Sequence, residues 1–288
     1  ALGLGGFFMG GFGGRLPRHG RRLTMRFPFF LLLALWPLAA AADGCDGRAA
    51  AVVQAAWPDA QRAGNQIIAE GRQITLSDGD PHGVTCRRWP AHPQLLLAAV
   101  PMMRPDGTAQ GFDREGDLEV LVLDADSLAP QARLRIEGHI LEDALSLTGL
   151  HFDTAPYRLF GDRLAFGIRR ELATASGPNP YRQTDLTLFD LQGDRLRTVL
   201  LDQIVTQSFG DWDMECAGNF ETLTRVLDLA PGAQAAVIVV RGTLVRRTDR
   251  IEGGKCTSTE TAEVLPAYGL HYDGTLYPSP ANPPPAAR

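Results

Sequence analysis

Beyond residue 94 this 288-residue chain offers one strand-forming segment after another and no more than a single helical turn, which restricts it to the mainly β class. Residues 95–100 are apolar on both faces, so they predict a strand covered on both sides, and 117–124 (DLEVLVLD) predict a second. Residues 131–136 alternate Arg outward with Leu134 and Ile136 inward, the period of a half-buried strand. Strands are also expected at 147–153, 163–169, 184–191, 195–201, 204–209, 222–229, 235–244, 259–265 and 269–272. Gln192-Gly193-Asp194 is a tight hairpin signal. Residues 102–116 read as a long polar loop with a turn at Pro105-Asp106-Gly107, and 137–146 as a short helical turn. Upstream, 47–56 is an Ala-rich helix stopped at Trp57-Pro58, because proline disfavours helical geometry in the residue before it. A hairpin around Gly71, a turn at 78–83 and a strand at 84–89 follow.

Two strand pairs recur at long spacing. Leu95 and Leu164 are 69 apart, and Asp117 and Asp185 are 68 apart. This is longer than the usual propeller blade of about 40–50 residues. The expectation is therefore many short antiparallel strands in an irregular propeller-like or sandwich arrangement, with one short N-terminal helix.

Two short motifs also recur. Residues 149–157 (GLHFDTAPY) match 269–277 (GLHYDGTLY), and each is preceded by Arg-Ile-Glu-Gly, at 135–138 and 250–253. In an extended strand, His151 and Asp153 share one face, and His271 and Asp273 share one face, opposite Leu150/Phe152 and Leu270/Tyr272. Asp followed by Thr-Ala-Pro or Gly-Thr is turn chemistry, so each strand should end there. The two His/Asp pairs are binding candidates if they converge, and turn-capping residues if they do not.

The ends of the chain carry no fold. Residues 1–24 are rich in Gly and Arg without apolar period and read as an over-extended reading frame upstream of Met25. Residues 25–42 have a basic start, an apolar stretch and small residues for cleavage, the pattern of a secretory signal. Ala42-Asp43-Gly44 is a poor approach to a lipidated Cys45, so an exported, periplasmic or secreted protein is expected ahead of a lipoprotein. Residues 43–277 are read as one disulfide-stapled β-rich domain, and 278–288 (PSPANPPPAAR) as a proline-rich disordered tail. No transmembrane helix is expected in the mature chain.

All four cysteines follow the leader, and in an oxidising compartment an even number argues for two disulfides. The near-equal separations favour Cys45–Cys86 and Cys216–Cys256. No pair has the close spacing of zinc ligands, and neither a metal nor a cofactor is expected. Without its first 42 residues the chain keeps 23 basic against 33 acidic side chains. That balance argues against nucleic acid, whose binding needs Lys and Arg to neutralise phosphates.

Catalytic signatures are missing. There is no Gly-x-Ser-x-Gly, no His-Glu-x-x-His, and no glycine-rich phosphate loop in the mature region. The densest acidic patch, Asp211, Asp213 and Glu215 around Trp212 and beside Cys216, is the one candidate for general acid–base work. Trp89 beside Cys86 and Trp212 beside Cys216 are expected to pack on the bridges, and Asn179-Pro180-Tyr181 to offer an aromatic loop tip. The leading expectation is a non-enzymatic extracytoplasmic protein that binds a protein partner or small ligand through loops. The alternatives are a secreted hydrolase using the acidic patch with a histidine, and an inhibitor of a foreign secreted enzyme.

Overall fold

The computed structural model describes residues 45–105 and 113–280. The segments 1–24 and 25–42, most of the 105–107 turn, and the tail past Pro280 lie outside the described residues.

The described chain is mainly β: one short helix, α1 (Ala49–Ala56), and two antiparallel seven-stranded sheets. The first sheet contains β1 (Gln61–Ala63), β2 (Gln66–Ala69), β3 (Arg72–Thr75), β4 (Thr85–Arg88), β5 (Leu95–Met103), β6 (Arg114–Asp124) and β7 (Pro130–Glu142). The second contains β8 (Ser146–Phe160), β9 (Arg163–Ala173), β10 (Tyr181–Gln192), β11 (Arg195–Trp212), β12 (Gly218–Ala230), β13 (Val237–Glu252) and β14 (Lys255–Leu270). The second sheet is a plain meander in chain order, with β8 and β14 at its two edges.

Strand β5 explains the layering. All nine of its residues are buried. Leu96, Ala98, Val100 and Met102 face Val52 and Val53 of α1, while Leu95, Leu97, Ala99 and Met103 face Phe166 and Phe189 of the second sheet. Alternation of side chains in a strand puts those two sets on opposite faces, and each face has a cover. Each of these larger apolar side chains contributes about 1.5–3 kcal/mol by leaving water. The two sheets thus share a core, which is compatible with the sandwich alternative. The strand pairs spaced 68–69 apart are neighbours in both sheets: β5 with β6, and β9 with β10.

A third core lies on the far face of the second sheet, among Tyr157, Leu159, Leu186, Leu188, Val205, Ile238, Val240, Leu270 and Tyr277. The sheet coils around it. The Ala236 N–H just before β13 donates to the Leu159 carbonyl of edge strand β8 at 2.9 Å, and the Tyr277 N–H donates to Val199 at 2.7 Å. Disulfides join Cys45 to Cys86, pinning the start of α1 to β4, and Cys216 to Cys256, pinning the β11–β12 turn to β14. Loops of 41 and 40 residues each stabilise by roughly 4 kcal/mol in the chain-entropy model.

Several local expectations are corrected. The 102–116 loop is shorter, because Met102 pairs with Asp117 and Met103 with Gly116. Gly116 is not a loop marker: a Cβ there would meet the Met103 Sδ at 2.6 Å, so the glycine permits close approach within the sheet. The 137–146 segment is no helical turn; β7 runs through to Glu142 over a bulge at Gly138. Strand β8 does not end at Asp153. Two extra residues are accommodated between Asp153 and Tyr157, and the strand moves its buried side chains from the inter-sheet core to the third core. The 195–201 and 204–209 segments form one strand bent at Asp202. Trp89 packs edge-on against Phe166, 5.2 Å away, on the face opposite Cys86, because an offset of three residues along extended backbone reverses the face. Tyr181 opens a strand instead of tipping a loop. The Pro278–Pro280 stretch has no regular structure, but the Ser279 hydroxyl donates to the Gln203 side-chain oxygen at 2.9 Å.

Candidate functional site

The chain leaves the first sheet for the second through a three-residue turn between β7 and β8. That corner opens a cleft of about 410 Å³, lined by β7, Arg170 and Leu172 of β9, and Leu201 and Asp202 of β11. Gly138 makes the corner. Its φ of +60° is left-handed, and its N–H is held by the Asp117 carboxylate at 2.9 Å. The bulge turns the next residue, His139, into the cleft wall with only 5% of its side chain exposed.

Asp202 arrives by a second irregularity. Its φ is +48°, a conformation Asp tolerates better than most residues, and it sits where the β10–β11 register shifts. Thr187 fixes it from both ends: the Asp202 N–H donates to the Thr187 hydroxyl at 3.2 Å, and that hydroxyl donates to the carboxylate at 3.3 Å. Arg170 ties the floor together. It donates to the His139 carbonyl, bonds Asp185 at 2.8 Å and reaches Asp202 at 3.4 Å. Beneath lies a relay in which Gln207 donates to the Tyr181 hydroxyl, Tyr181 to Gln183 and Gln183 to Asp185.

Burial governs the electrostatics. It raises the Asp185 pKa above the ordinary carboxylate value even against the pull of Arg170. Burial, and behind it the Arg170 charge, pushes the His139 pKa down to about 3, so the imidazole is neutral across the physiological range. The His139 Nε2 stands 3.7 Å from the Asp202 carboxylate, outside hydrogen-bond reach. Among the described residues its ring makes no hydrogen bond. At the mouth Leu141 and Leu201 remain 43% and 44% exposed. At the end of β7, Glu142 accepts from His82 at 2.8 Å and from the Leu147 N–H at 2.7 Å. Burial opposes ionisation of Glu142, but these bonds outweigh it and keep its pKa low.

The candidates read from sequence fall elsewhere. His151 and Asp153 lie on edge strand β8, and His271 and Asp273 follow the opposite edge strand β14, with five strands between. His151 is exposed, with Glu171 at 3.7 Å; Asp153 binds Arg169 at 2.6 Å and the Tyr157 hydroxyl at 2.9 Å. Asp273 accepts the N–H groups of Leu276 and Thr275, which hold its pKa down, and so closes a turn. Glu215 lines a second opening beside the Cys216–Cys256 bridge, where Trp212 and Phe220 supply the apolar wall, while Asp211 pairs with Asn219 in the sheet and is not part of that lining. Asp213 is exposed and caps its own loop, its pKa lowered first by the Glu215 N–H, with Ala217 and Cys216 adding to it. Among the described residues no group of three or more His, Cys, Asp or Glu is placed to hold a metal ion, and no helix is long and apolar enough to cross a membrane.

The cleft residues His139, Arg170 and Asp202 were not singled out from sequence. The sequence holds a weak trace of two of them: His139 directly follows a glycine, and Asp202 interrupts the run from Val199 to Val205. No family model, curated protein or solved structure matches the chain.

Proposed function

We propose that this protein is a non-catalytic binding protein of an oxidising, extracytoplasmic compartment, and that it takes a small ligand into the cleft at the corner between its sheets. The observation that carries this reading is the cleft itself: exposed Leu141 and Leu201 at the mouth, above a polar floor of buried His139, largely buried Arg170 and part-exposed Asp202. An apolar wall with a few fixed polar groups is the usual make-up of a small-molecule site. The floor is fixed before any ligand arrives, because Asp202 and Arg170 are each held by two or more partners. The signal-like sequence pattern at 25–42 supports the compartment, as do two disulfides, which persist where thiols are not kept reduced.

The test is a ligand-observed NMR screen of a fragment library on the protein and on Leu201→Asp. Leu201 is half-exposed, so the substitution leaves the core intact. Binders lost on Leu201→Asp are the expected outcome. A screen without binders, or with binders indifferent to the substitution, refutes the reading.

A further inference from the structure

The charges on the cleft floor do not balance. Among the described residues Arg170 is the only Arg or Lys lining the cleft, and it is shared between Asp185 and Asp202. Against that one cation the lining carries four acids, Glu137, Glu142, Asp143 and Asp202. Asp185 is buried away on the protein side, while Asp202 is 36% exposed on the cleft side. Asp202 therefore faces the cleft with only a shared counter-charge, and His139, held neutral, does not supply another. A second observation is independent of the acids: the His139 imidazole is nearly fully buried, lines the cleft and has no hydrogen-bond partner among the described residues. Buried polar groups are as a rule hydrogen-bonded, and the ring lines the cleft, where a ligand group can meet it.

We infer that the cleft takes a small amphipathic amine, with its ammonium seated between Asp202 and His139 and its apolar body lying along Leu141, Leu145, Leu172 and Leu201. This rests on the cleft being the ligand site. The geometry suits one nitrogen: two acceptors 3.7 Å apart can both lie about 2.8 Å from a shared donor. The ammonium gives Asp202 a counter-charge of its own and donates a hydrogen bond to the imidazole nitrogen. A carboxylate ligand would instead meet Asp202 and an Arg170 whose Nη groups are taken by Asp185, Asp202 and a backbone carbonyl and whose Nε is buried. A bare metal ion would have no use for four leucines.

The experiment is a calorimetric titration of the whole protein with n-hexylamine, n-hexanol and n-hexanoate, repeated on Asp202→Asn and Leu201→Asp. Asn tolerates the left-handed backbone and keeps an oxygen for Thr187, so the first variant should fold; circular dichroism checks it, and Asp202→Glu, which displaces the carboxylate, serves as a second variant. The amine is expected to bind at least about tenfold tighter than the carboxylate, to fall to the level of the alcohol in Asp202→Asn, and to be lost in Leu201→Asp. Equal or tighter carboxylate binding, or amine binding indifferent to Asp202→Asn and Asp202→Glu, overturns the amine assignment while leaving the cleft as a site if Leu201→Asp still abolishes binding. No binding by any probe overturns the assignment too, and the fragment screen then decides separately whether the cleft is a site at all.

Discussion

The first Arg-Ile-Glu-Gly and Gly-Leu-His-aromatic-Asp motifs lie around the corner between the sheets, and the second pair lies on the β13–β14 ribbon. Locally the copies agree. Gly138 and Gly253 have φ of +60° and +58°. In both copies the histidine folds back over the glycine two residues before it: a Cβ on Gly149 would come within 2.9 Å of the His151 Nε2, and one on Gly269 within 3.3 Å of the His271 Nε2. Leu150 and Leu270 are buried, as are Tyr157 and Tyr277, and both tyrosine hydroxyls donate hydrogen bonds. Burial pushes the Tyr277 pKa up to about 12 and raises that of Tyr157 as well.

The surroundings then divide the copies. Gly138 faces a partner strand whose Asp117 takes its N–H, and it becomes a bulge inside a continuing strand. Gly253 is followed by Gly254 at φ +76°, and the pair becomes a two-residue hairpin turn between Glu252 and Lys255. Asp153 is met by Arg169 and Tyr157 and bulges β8; Asp273 meets only its own backbone and ends β14 in a turn. Ile136 packs against the inter-sheet core, whereas Ile251 is 60% exposed. The lesson is that these residues encode a local backbone shape, and the neighbouring strand decides whether that shape continues a sheet or ends it.

The largest expected difference is in pH dependence. The first motif delivers a buried histidine, and the position after Gly253 is a glycine. His139 titrates near 3 when folded and near 6.5 when unfolded. Between those values the unfolded chain binds the extra proton, so the contribution of this group is complete above about pH 6.5 and is lost as pH falls toward 3. The full span corresponds to about 4–5 kcal/mol. Urea unfolding at a series of pH values should show wild type losing more stability over that window than His139→Phe, whose curve lacks this component. Parallel curves for the two proteins would place His139 in a solvated setting and remove the distinction between the copies.

Next comes the aromatic. Phe152 is buried between the sheets, and Phe152→Ala should cost about 3–5 kcal/mol. Tyr272 is half-buried, packed on Phe160 and Tyr277 with its hydroxyl accepting from Arg197, and Tyr272→Ala should cost about 1–3 kcal/mol. Matched denaturant midpoints would show that the two aromatic positions carry equal weight, against their burial.

The same comparison explains what the sequence made legible. The β class, the strand positions and the spacing that favoured the two cysteine pairings depend on side-chain alternation and counting, both of which are local. The strand through Asp153 was misplaced because Asp-Thr-Ala-Pro carries identical turn chemistry whether or not an Arg169 waits on the neighbouring strand. The cleft was invisible for a related reason. His139, Arg170 and Asp202 come from three strands, and two of them reach the floor only through irregularities that depend on Asp117 and Thr187 opposite. The acidic patch was conspicuous in sequence because its members are adjacent, yet Asp213 is occupied in holding its own loop.

The smallest effect separates the copies at the glycines. Ala in place of Gly loses less conformational freedom on folding, which favours the folded state by about 0.4–1 kcal/mol where the backbone is compatible. At Gly149 the added Cβ meets only the ends of flexible side chains, His151 Nε2 at 2.9 Å and Glu171 Oε2 at 3.3 Å. Both can swing aside, so Gly149→Ala should be within about 0.5 kcal/mol of neutral, and in a His151→Ala background it should become stabilising. At Gly269 the Cβ meets the Val237 Cγ1 at 3.1 Å as well as His271. A β-branched side chain has little freedom about χ1 and cannot move away. Gly269→Ala should therefore cost about 1 kcal/mol, and His271→Ala should relieve only part of it. Four variants and two double variants, compared by urea midpoint, read the difference directly. Full relief at Gly269 by His271→Ala would mean that the imidazole alone demands glycine in both copies, and the two stretches would then be equivalent even here.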